Sequence, residues 1–197
     1  MTAYAAEPQS AAKTSAPSPA KYEAGSYAVD PSHSKVGFGV KHLGILNVEG
    51  RFKQFEGTIN LDPVFEKTTF KAKVDVSSID TGEKKRDEHL LSPDFFNAPK
   101  DKVMSFESTE IKGTPESFKI MGNLTIRGIT KTVVLDSKFL GQAKDGYGNL
   151  KSAIEAKTVI SRKDFDLKWN QVAEGVQIVG DDVTIDLSIQ AAKALKK

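Results

Sequence analysis

The segment Ser117-Phe118-Lys119-Ile120-Met121-Gly122-Asn123-Leu124-Thr125-Ile126 decides the fold class. Apolar side chains or glycine occupy every second position from Phe118 to Ile126, and polar side chains occupy most of the positions between them. Successive side chains of a β-strand point to opposite faces, so this period of two predicts a strand with one buried and one solvated face. Such strands are typical of antiparallel sheets.

The same alternation recurs on both sides of this segment. Turn signals separate the runs, and the strongest is Asp145-Gly146-Tyr147-Gly148-Asn149. We count about eight strands and predict an all-β chain, folded as an eight-stranded antiparallel up-and-down β-barrel. A two-sheet sandwich is the alternative. Other inward-facing runs are Val36, Phe38 and Val40; Phe70, Ala72, Val74 and Val76; Ile154, Ala156 and Ile160; and Val183, Ile185, Leu187 and Ile189.

One predicted strand changes face partway along its length. Val48 and Phe52 share one face, but Phe55 and Ile59 continue the apolar pattern with the opposite parity. A slip of one residue predicts a bulge or sharp bend at Lys53-Gln54, of the kind that lets a long strand curl into a barrel.

Only one part of the folded chain has a helical pattern, and it forms a short insert around residues 83–97. We expect Thr81 to cap a helix from about Glu83 to Leu91, and Ser92-Pro93 to begin a second short turn. Because apolar residues of the insert need a surface to pack on, we expect the insert to close or flank the mouth of the barrel. Arg86, His89 and Leu90 share one face of this helix.

The composition excludes several classes of protein. The chain has 197 residues, of which 27% are charged, and a formal net charge of +2 with acids and bases interleaved. We therefore predict a soluble globular protein with no nucleic-acid partner. The chain has no cysteine, which excludes disulfides, thiol nucleophiles and cysteine-bound metals. No apolar run approaches the ~18 residues that a membrane-spanning helix requires.

Residues 1–25 differ from the rest of the chain. They are rich in Ala, Pro, Ser and Lys, so we predict a disordered tail, followed by the folded domain at residues 26–192. Ala3-Tyr4-Ala5 has the small-x-small form of a signal-peptidase site, although no basic or apolar segment precedes it. The tail is therefore either a signal-peptide remnant or a linker in which the pattern arose by chance.

The pattern leaves open whether the barrel is filled or holds a ligand. Small residues interrupt the inward-facing runs, and they are equally compatible with a cavity and with a core that alternates small and large side chains. These residues are Gly50, Gly57, Ala72, Gly122 and Ala156.

The three histidines, His33, His42 and His89, lack the short spacings of a zinc site, so we predict no metal site. His42 continues an apolar strand face, where it either contacts a ligand head group or bonds to nearby backbone or hydroxyl groups. The segment Asp30-Pro31-Ser32-His33-Ser34 has the residue types of a hydrolase triad. These residues lie too close in sequence to converge, so we expect a capped turn.

Two arginines and the only tryptophan lie in predicted connections beside large apolar residues. Arg86 and Arg162 could each hold a phosphate or carboxylate, with Trp169 nearby. The alternative is that each arginine forms an ion pair with a neighbouring carboxylate: Asp87, Asp164 or Asp166.

From about Tyr27 to Gln190, the chain resembles the YceI-like polyisoprenoid-binding family. Two positions depart from the family pattern: Lys102-Val103 replaces a common Tyr-Pro, and Asp166 replaces a common Gly. The resemblance is carried by Asp30-Pro31-Ser32-His33-Ser34 with Phe38 and His42; Gly50-Arg51-Phe52 with Phe55 and Gly57; Thr81 with Arg86-Asp87-x-His89-Leu90; Phe95-Phe96; Phe106; Gly122-Asn123-Leu124-Thr125-Ile126-x-Gly128-x-Thr130; and Arg162-x-Asp164-Phe165.

This resemblance implies a lipocalin-like barrel, exported to the periplasm or secreted, often dimeric, and in transient contact with membranes. It implies an isoprenoid or fatty lipid, such as a quinone or polyprenyl phosphate, bound without any required cofactor. The implied tail contacts are Phe38, Phe52, Phe106, Leu124, Ile126, Ile160 and Phe165. The implied head-group contacts are His42, Arg86, His89, Arg162, Trp169 and Asn170.

Three functions are compatible with these features. We expect non-catalytic binding, with carriage or storage of the lipid, because a long apolar chain binds mainly through its tail. An enzyme that acts on the lipid would use His42 or His89 as acid or base. A structural module would have a solidly packed barrel.

Overall fold

The structure is a computed structural model that describes residues 22–173 and 175–193. Residues 1–21 of the predicted tail lie outside the described residues. Tyr22, which the prediction also assigned to the tail, packs edge-on against Phe65 and Phe139. The strands are β1 (Gly25–Val29), β2 (Lys35–His42), β3 (Leu46–Phe52), β4 (Phe55–Leu61), β5 (Thr69–Asp75), β6 (Ile79–Asp80), β7 (Val103–Thr114), β8 (Ser117–Ile126), β9 (Ile129–Lys144), β10 (Leu150–Ser161), β11 (Val172–Ala173), β12 (Val176–Gln177) and β13 (Val179–Lys193). The helix α1 spans Lys84–Leu91.

The main sheet is a closed antiparallel barrel. Its 11 segments form eight continuous strands, because β1 and β2, β3 and β4, and β5 and β6 are successive parts of three strands. The ring closes where the last strand, β13, pairs with the first, with Val29 opposite Ala191 and Val36 opposite Leu187. Neighbouring strands in the ring are also neighbours in sequence. The predicted up-and-down barrel is confirmed, and the sandwich alternative is wrong.

The predicted bend at Lys53-Gln54 is confirmed, and it lies beside a second break in the neighbouring strand. Lys53 N–H donates to Ser78 O at 3.0 Å, and Asp75 N–H donates to Gln54 O at 2.9 Å. The two breaks therefore keep their backbone hydrogen bonds while the wall of the barrel bends.

The insert between β6 and β7 begins one residue later than predicted and has a different cap. Glu83, not Thr81, caps α1, and its carboxylate accepts from Arg86 N–H at 2.8 Å. The Thr81 hydroxyl is already occupied, because it donates to Asp87 at 2.6 Å and accepts from Arg86 Nε–H at 2.7 Å. After α1 the chain turns at Ser92 as predicted.

Two apolar clusters occupy the two ends of the barrel. One is centred on Tyr27, Phe118 and Phe139, at the end that holds the 145–149 turn. The other includes Phe52 and Phe95 and lies beneath the insert. We call this second end the insert end; it also holds the β2–β3 turn and the loop from residue 162 to 178. No helix among residues 22–173 and 175–193 has the length and apolar composition needed to cross a membrane.

The expected capped turn at Asp30 is confirmed, but the expectation that its side chains do not converge is wrong, because Ser32 Oγ lies 3.0 Å from His33 Nδ1. The Asp30 carboxylate accepts from Ser32 Oγ at 2.6 Å, lies 3.0 Å from His33 Nδ1 and accepts from Lys151 Nζ at 3.3 Å. These contacts, chiefly the hydrogen bond from Ser32, hold the pKa of Asp30 well below its ordinary value. The arrangement differs from a hydrolase triad, because Ser32 and Asp30 both contact the same ring nitrogen of His33, Nδ1, and the Ser32 hydroxyl donates to the carboxylate.

Gly50 allows the ring of Phe38 to lie across the neighbouring strand. A Cβ at position 50 would lie 2.3 Å from Phe38 Cζ and 2.9 Å from Thr81 Cγ2. We therefore expect Gly50→Ala to lower the free energy of unfolding by about 1–3 kcal/mol, as overpacked cores do.

Urea denaturation measures this loss, and Gly39→Ala is the matched control in the same hairpin. The nearest atom to a Cβ at position 39 is Val48 O at 4.0 Å. The control should stay within about 0.5 kcal/mol of the parent. Equal effects of the two substitutions would contradict the steric explanation.

Candidate ligand-binding cavity

The interior of the barrel contains a cavity of about 260 Å³ with an almost entirely apolar wall. The wall extends from Ile59 and Phe70, which belong to the cluster far from the insert, to Leu90 and Phe96 in the insert itself. The volume is slightly below the ~300–1,000 Å³ of ordinary small-molecule pockets. The shape and chemistry of the cavity therefore suit a slender apolar chain.

Six of the seven predicted tail contacts lie on this wall. They are Phe38, Phe52, Phe106, Leu124, Ile126 and Ile160. Phe165 does not line the cavity, although it is buried in the adjacent cluster. It lies in the short helical turn Arg162–Phe165, where the alternation of β10 no longer sets the direction of the side chain.

The insert supplies the wall at its end of the barrel. Leu90, Phe95 and Phe96 all line the cavity. Phe96 meets Phe52 edge-on, with the ring centroids 6.0 Å apart. The sequence pattern marked these apolar residues as buried, but they were not predicted as ligand contacts.

An aromatic contact joins the insert to the 162–178 loop across this end. Trp169 lies 5.1 Å from Phe95 and 4.9 Å from His89 between ring centroids. His89 Nε2 also lies 2.9 Å from Asp94 Oδ2. Neither His89 nor Trp169 lines the cavity. Both predicted head-group contacts lie instead where the insert and the 162–178 loop pack against each other.

Two further head-group candidates point away from the cavity. Arg86 is exposed and is held by Thr81, to which its guanidinium donates through Nε and through Nη2, the latter at 2.8 Å to the carbonyl oxygen. His42 follows Val40, which lines the cavity, and is still paired with Val179 and Leu46 in the sheet, but its side chain is exposed. His42 therefore does not line the cavity, where the family resemblance implied a head-group contact.

Arg162 lines the cavity and is 3% exposed, but all of its donors are occupied. A guanidinium has five N–H groups. Those of Arg162 donate to the carboxylate of Asp181 and to four backbone carbonyls, those of Leu167, Trp169, Val179 and Gly180. Burial lowers the pKa of Arg162, and Asp181 opposes that shift.

The partner of Arg162 is therefore Asp181, and not the Asp164 or Asp166 that the sequence suggested. Asn170 has a similar bracing role, because its amide group donates to Val179 O at 2.9 Å and accepts from Val179 N–H at 3.2 Å. Both side chains fasten the 162–178 loop to β13. The backbone of Asp166 is in the left-handed conformation, with φ of 60°. Glycine adopts this conformation without strain, which accounts for the glycine common at this position in the family that the sequence resembles.

A surface groove of about 1,010 Å³ adjoins the cavity on its outer side. It lies between the bent wall and the insert, where it is lined by Gln54, Leu91 and Pro99 among others. Phe55, Glu56 and Val74 line both the groove and the cavity. These three residues form the wall between the cavity and the groove. A long chain could occupy both spaces if these side chains moved.

The described residues contain no group of three or more histidine and carboxylate side chains placed to hold a metal ion.

The chain is similar to several known proteins. The family model described as the YceI-like domain matches residues 27–191. A UPF0312 protein of Serratia proteamaculans is 36% identical over 177 residues, covering 87% of this chain and 88% of that protein.

Solved structures agree with the barrel. The YceI protein of Campylobacter jejuni is 31% identical, with a TM-score of 0.68 over 79% of this chain and 90% of that one. A polyisoprenoid-binding domain from Saccharophagus degradans is 14% identical, with a TM-score of 0.64 over 85% of this chain and 98% of that one. The second likeness is one of fold alone.

We expect Arg162→Met to lower the free energy of unfolding by about 3–5 kcal/mol, because it removes the buried partner of Asp181 and leaves four backbone carbonyls without the donor that Arg162 supplies. Lys163→Met is the matched control, since Lys163 donates to the same Asp181 at 2.7 Å but from an exposed position. The control should cost less than about 1 kcal/mol. Urea denaturation measures both, and similar losses would show that Arg162 does not brace the loop.

Proposed function

The chain belongs to the YceI-like domain family, and from its cavity we propose that it is a non-catalytic protein that binds an isoprenoid or similar amphiphilic lipid. The hydrocarbon chain lies inside the barrel, and the lipid is carried or stored rather than converted. One observation carries the proposal: the cavity wall is almost entirely apolar, and the one arginine that lines it has no donor left for a ligand.

The energetics favour recognition through the tail. Burying each CH₂ group contributes about 0.8 kcal/mol, so a chain of several isoprene units binds without any polar contact. Four polar residues at the insert end are engaged elsewhere: Arg86 and His89 bond to Thr81 and Asp94, and Arg162 and Asn170 hold the 162–178 loop in place. A protein of this kind selects its ligand by the width and apolar character of the chain.

A chain too long for 260 Å³ needs further room. The adjoining groove offers about 1,010 Å³ on the other side of Phe55 and Val74. Movement of these side chains would join the two spaces. We therefore infer that the barrel accepts a longer chain than the cavity alone holds, with part of that chain in the groove.

The fold supports the same class of ligand. The printed name of the Saccharophagus degradans domain describes polyisoprenoid binding by that protein. The proposal for this chain includes the finer features that the family resemblance implies: carriage within the periplasm and pairing of two copies.

Catalysis by His42 or His89 has no support in the geometry. Both lie outside the cavity wall, and His89 is partnered by Asp94. A solidly packed structural module is also disfavoured, because the barrel is hollow.

We expect Ala156→Phe to weaken binding of farnesol, a short isoprenoid alcohol, by at least about tenfold, because the added ring occupies space that the chain needs. Ala156 faces the cavity from β10. Equilibrium dialysis with radiolabelled farnesol measures the dissociation constant, and circular dichroism confirms that the variant is folded.

Val159→Phe is the matched control on the same strand, since Val159 is exposed on the outer wall. Its dissociation constant should equal that of the parent. Ala72→Phe, which fills the cavity from β5, gives a second test if Ala156→Phe does not fold. Unchanged farnesol binding in a folded cavity variant would refute binding within the barrel.

A further inference from the structure

We propose that the β2–β3 turn inserts into the surface of a lipid bilayer and brings the insert end of the barrel to the membrane. The inference rests on the proposed function, because a lipid carrier must receive its ligand from a membrane or deliver it to one. It assigns a task to apolar residues that neither the cavity nor the core uses.

The turn exposes an unusual group of aliphatic side chains. Ile45 is 79% exposed and Leu46 is 69% exposed, and Leu43 beside them is 36% exposed. Val172, in β11 at the same end of the barrel, is 68% exposed. Single exposed aliphatic residues are ordinary on protein surfaces, but three within four consecutive positions mark an interaction site.

Backbone hydrogen bonds hold the turn in a fixed shape. Leu43 and Gly44 are both left-handed, with φ of 52° and 71°. Ile45 N–H donates to His42 O at 3.1 Å, and Leu43 N–H donates to Ile178 O at 3.0 Å. The second bond fastens the turn to the loop that carries β11 and β12. The exposed side chains therefore stand on a braced projection.

The turn lies close to the cavity. Val40, near the end of β2, lines the cavity wall, and Leu43 in the turn follows it by three residues. Three residues of β-strand span about 10 Å. Apolar groups of interfacial proteins reach about 5–10 Å into a bilayer. Insertion of the turn would therefore bring the end of the cavity to the level of the lipid head groups.

A bilayer fits this surface better than a second copy of the chain does. A stable protein interface takes about 20–30 residues from each partner, and the turn offers far fewer. A convex group of aliphatic side chains needs no matching hollow in a fluid partner. Residues 40–48 include Lys41 and no Asp or Glu, so the turn also suits anionic head groups.

Flotation with vesicles of phosphatidylethanolamine and phosphatidylglycerol tests the proposal directly. The parent protein should float with the vesicles. The double substitution Ile45→Ser and Leu46→Ser should reduce vesicle binding by at least about tenfold, because two aliphatic insertions are lost. Both side chains are exposed, so the barrel should fold as before.

The matched control is the double substitution Val64→Ser and Tyr147→Ser. These residues are 51% and 94% exposed at the opposite end of the barrel. The control should bind vesicles as the parent does. The rate of farnesol uptake from vesicles should fall in the turn variant alone, while farnesol binding in vesicle-free solution stays unchanged in every protein.

The proposal is overturned if the parent protein does not float, or if the turn variant and the control lose binding equally. It is also overturned if the turn substitutions convert a dimer to a monomer without changing flotation, since a second copy would then cover the turn. Absence of farnesol binding by the parent in vesicle-free solution would instead refute the proposed function. Flotation does not depend on farnesol, so it tests membrane binding separately.

Discussion

The pairing of β13 with the first strand of the chain is the constraint on which the rest of the structure depends. Once Val29 and Val36 take their places opposite Ala191 and Leu187, every strand of the barrel has two hydrogen-bonded neighbours. A closed ring of eight strands leaves an interior wide enough for side chains or for one small ligand. Small residues on the wall, such as Ala72 and Ala156, leave part of that interior open as a cavity.

Closing the ring leaves its insert end to be covered by other elements. The insert covers it with Leu90, Phe95 and Phe96, and the 162–178 loop meets the insert through Trp169. Arg162, at the start of that loop, donates twice to carbonyls of the loop and three times to residues of β13. Polar groups at this end therefore serve the architecture, while the ligand is left an apolar surface. This division fits the proposed function, in which affinity comes from the tail of the ligand.

The sequence predicted most of the fold, because alternation along a strand is a local property. The bend at Lys53-Gln54 was visible as a change of parity, and six wall residues followed from the family resemblance. The roles of the polar residues could not be predicted in this way. Arg162 bonds to Asp181, 19 residues further along the chain. Glu83 caps the helix because the Thr81 hydroxyl already bonds to Asp87. Such choices are settled by tertiary contacts.

The central claim is that the barrel holds one apolar chain, and a native mass spectrum of protein gently isolated from its own cells tests it most directly. The account predicts a bound species with the mass of an isoprenoid or similar lipid, one for each barrel, that organic solvent releases. Protein observed only free of ligand, or with only a small polar molecule bound, would contradict the account.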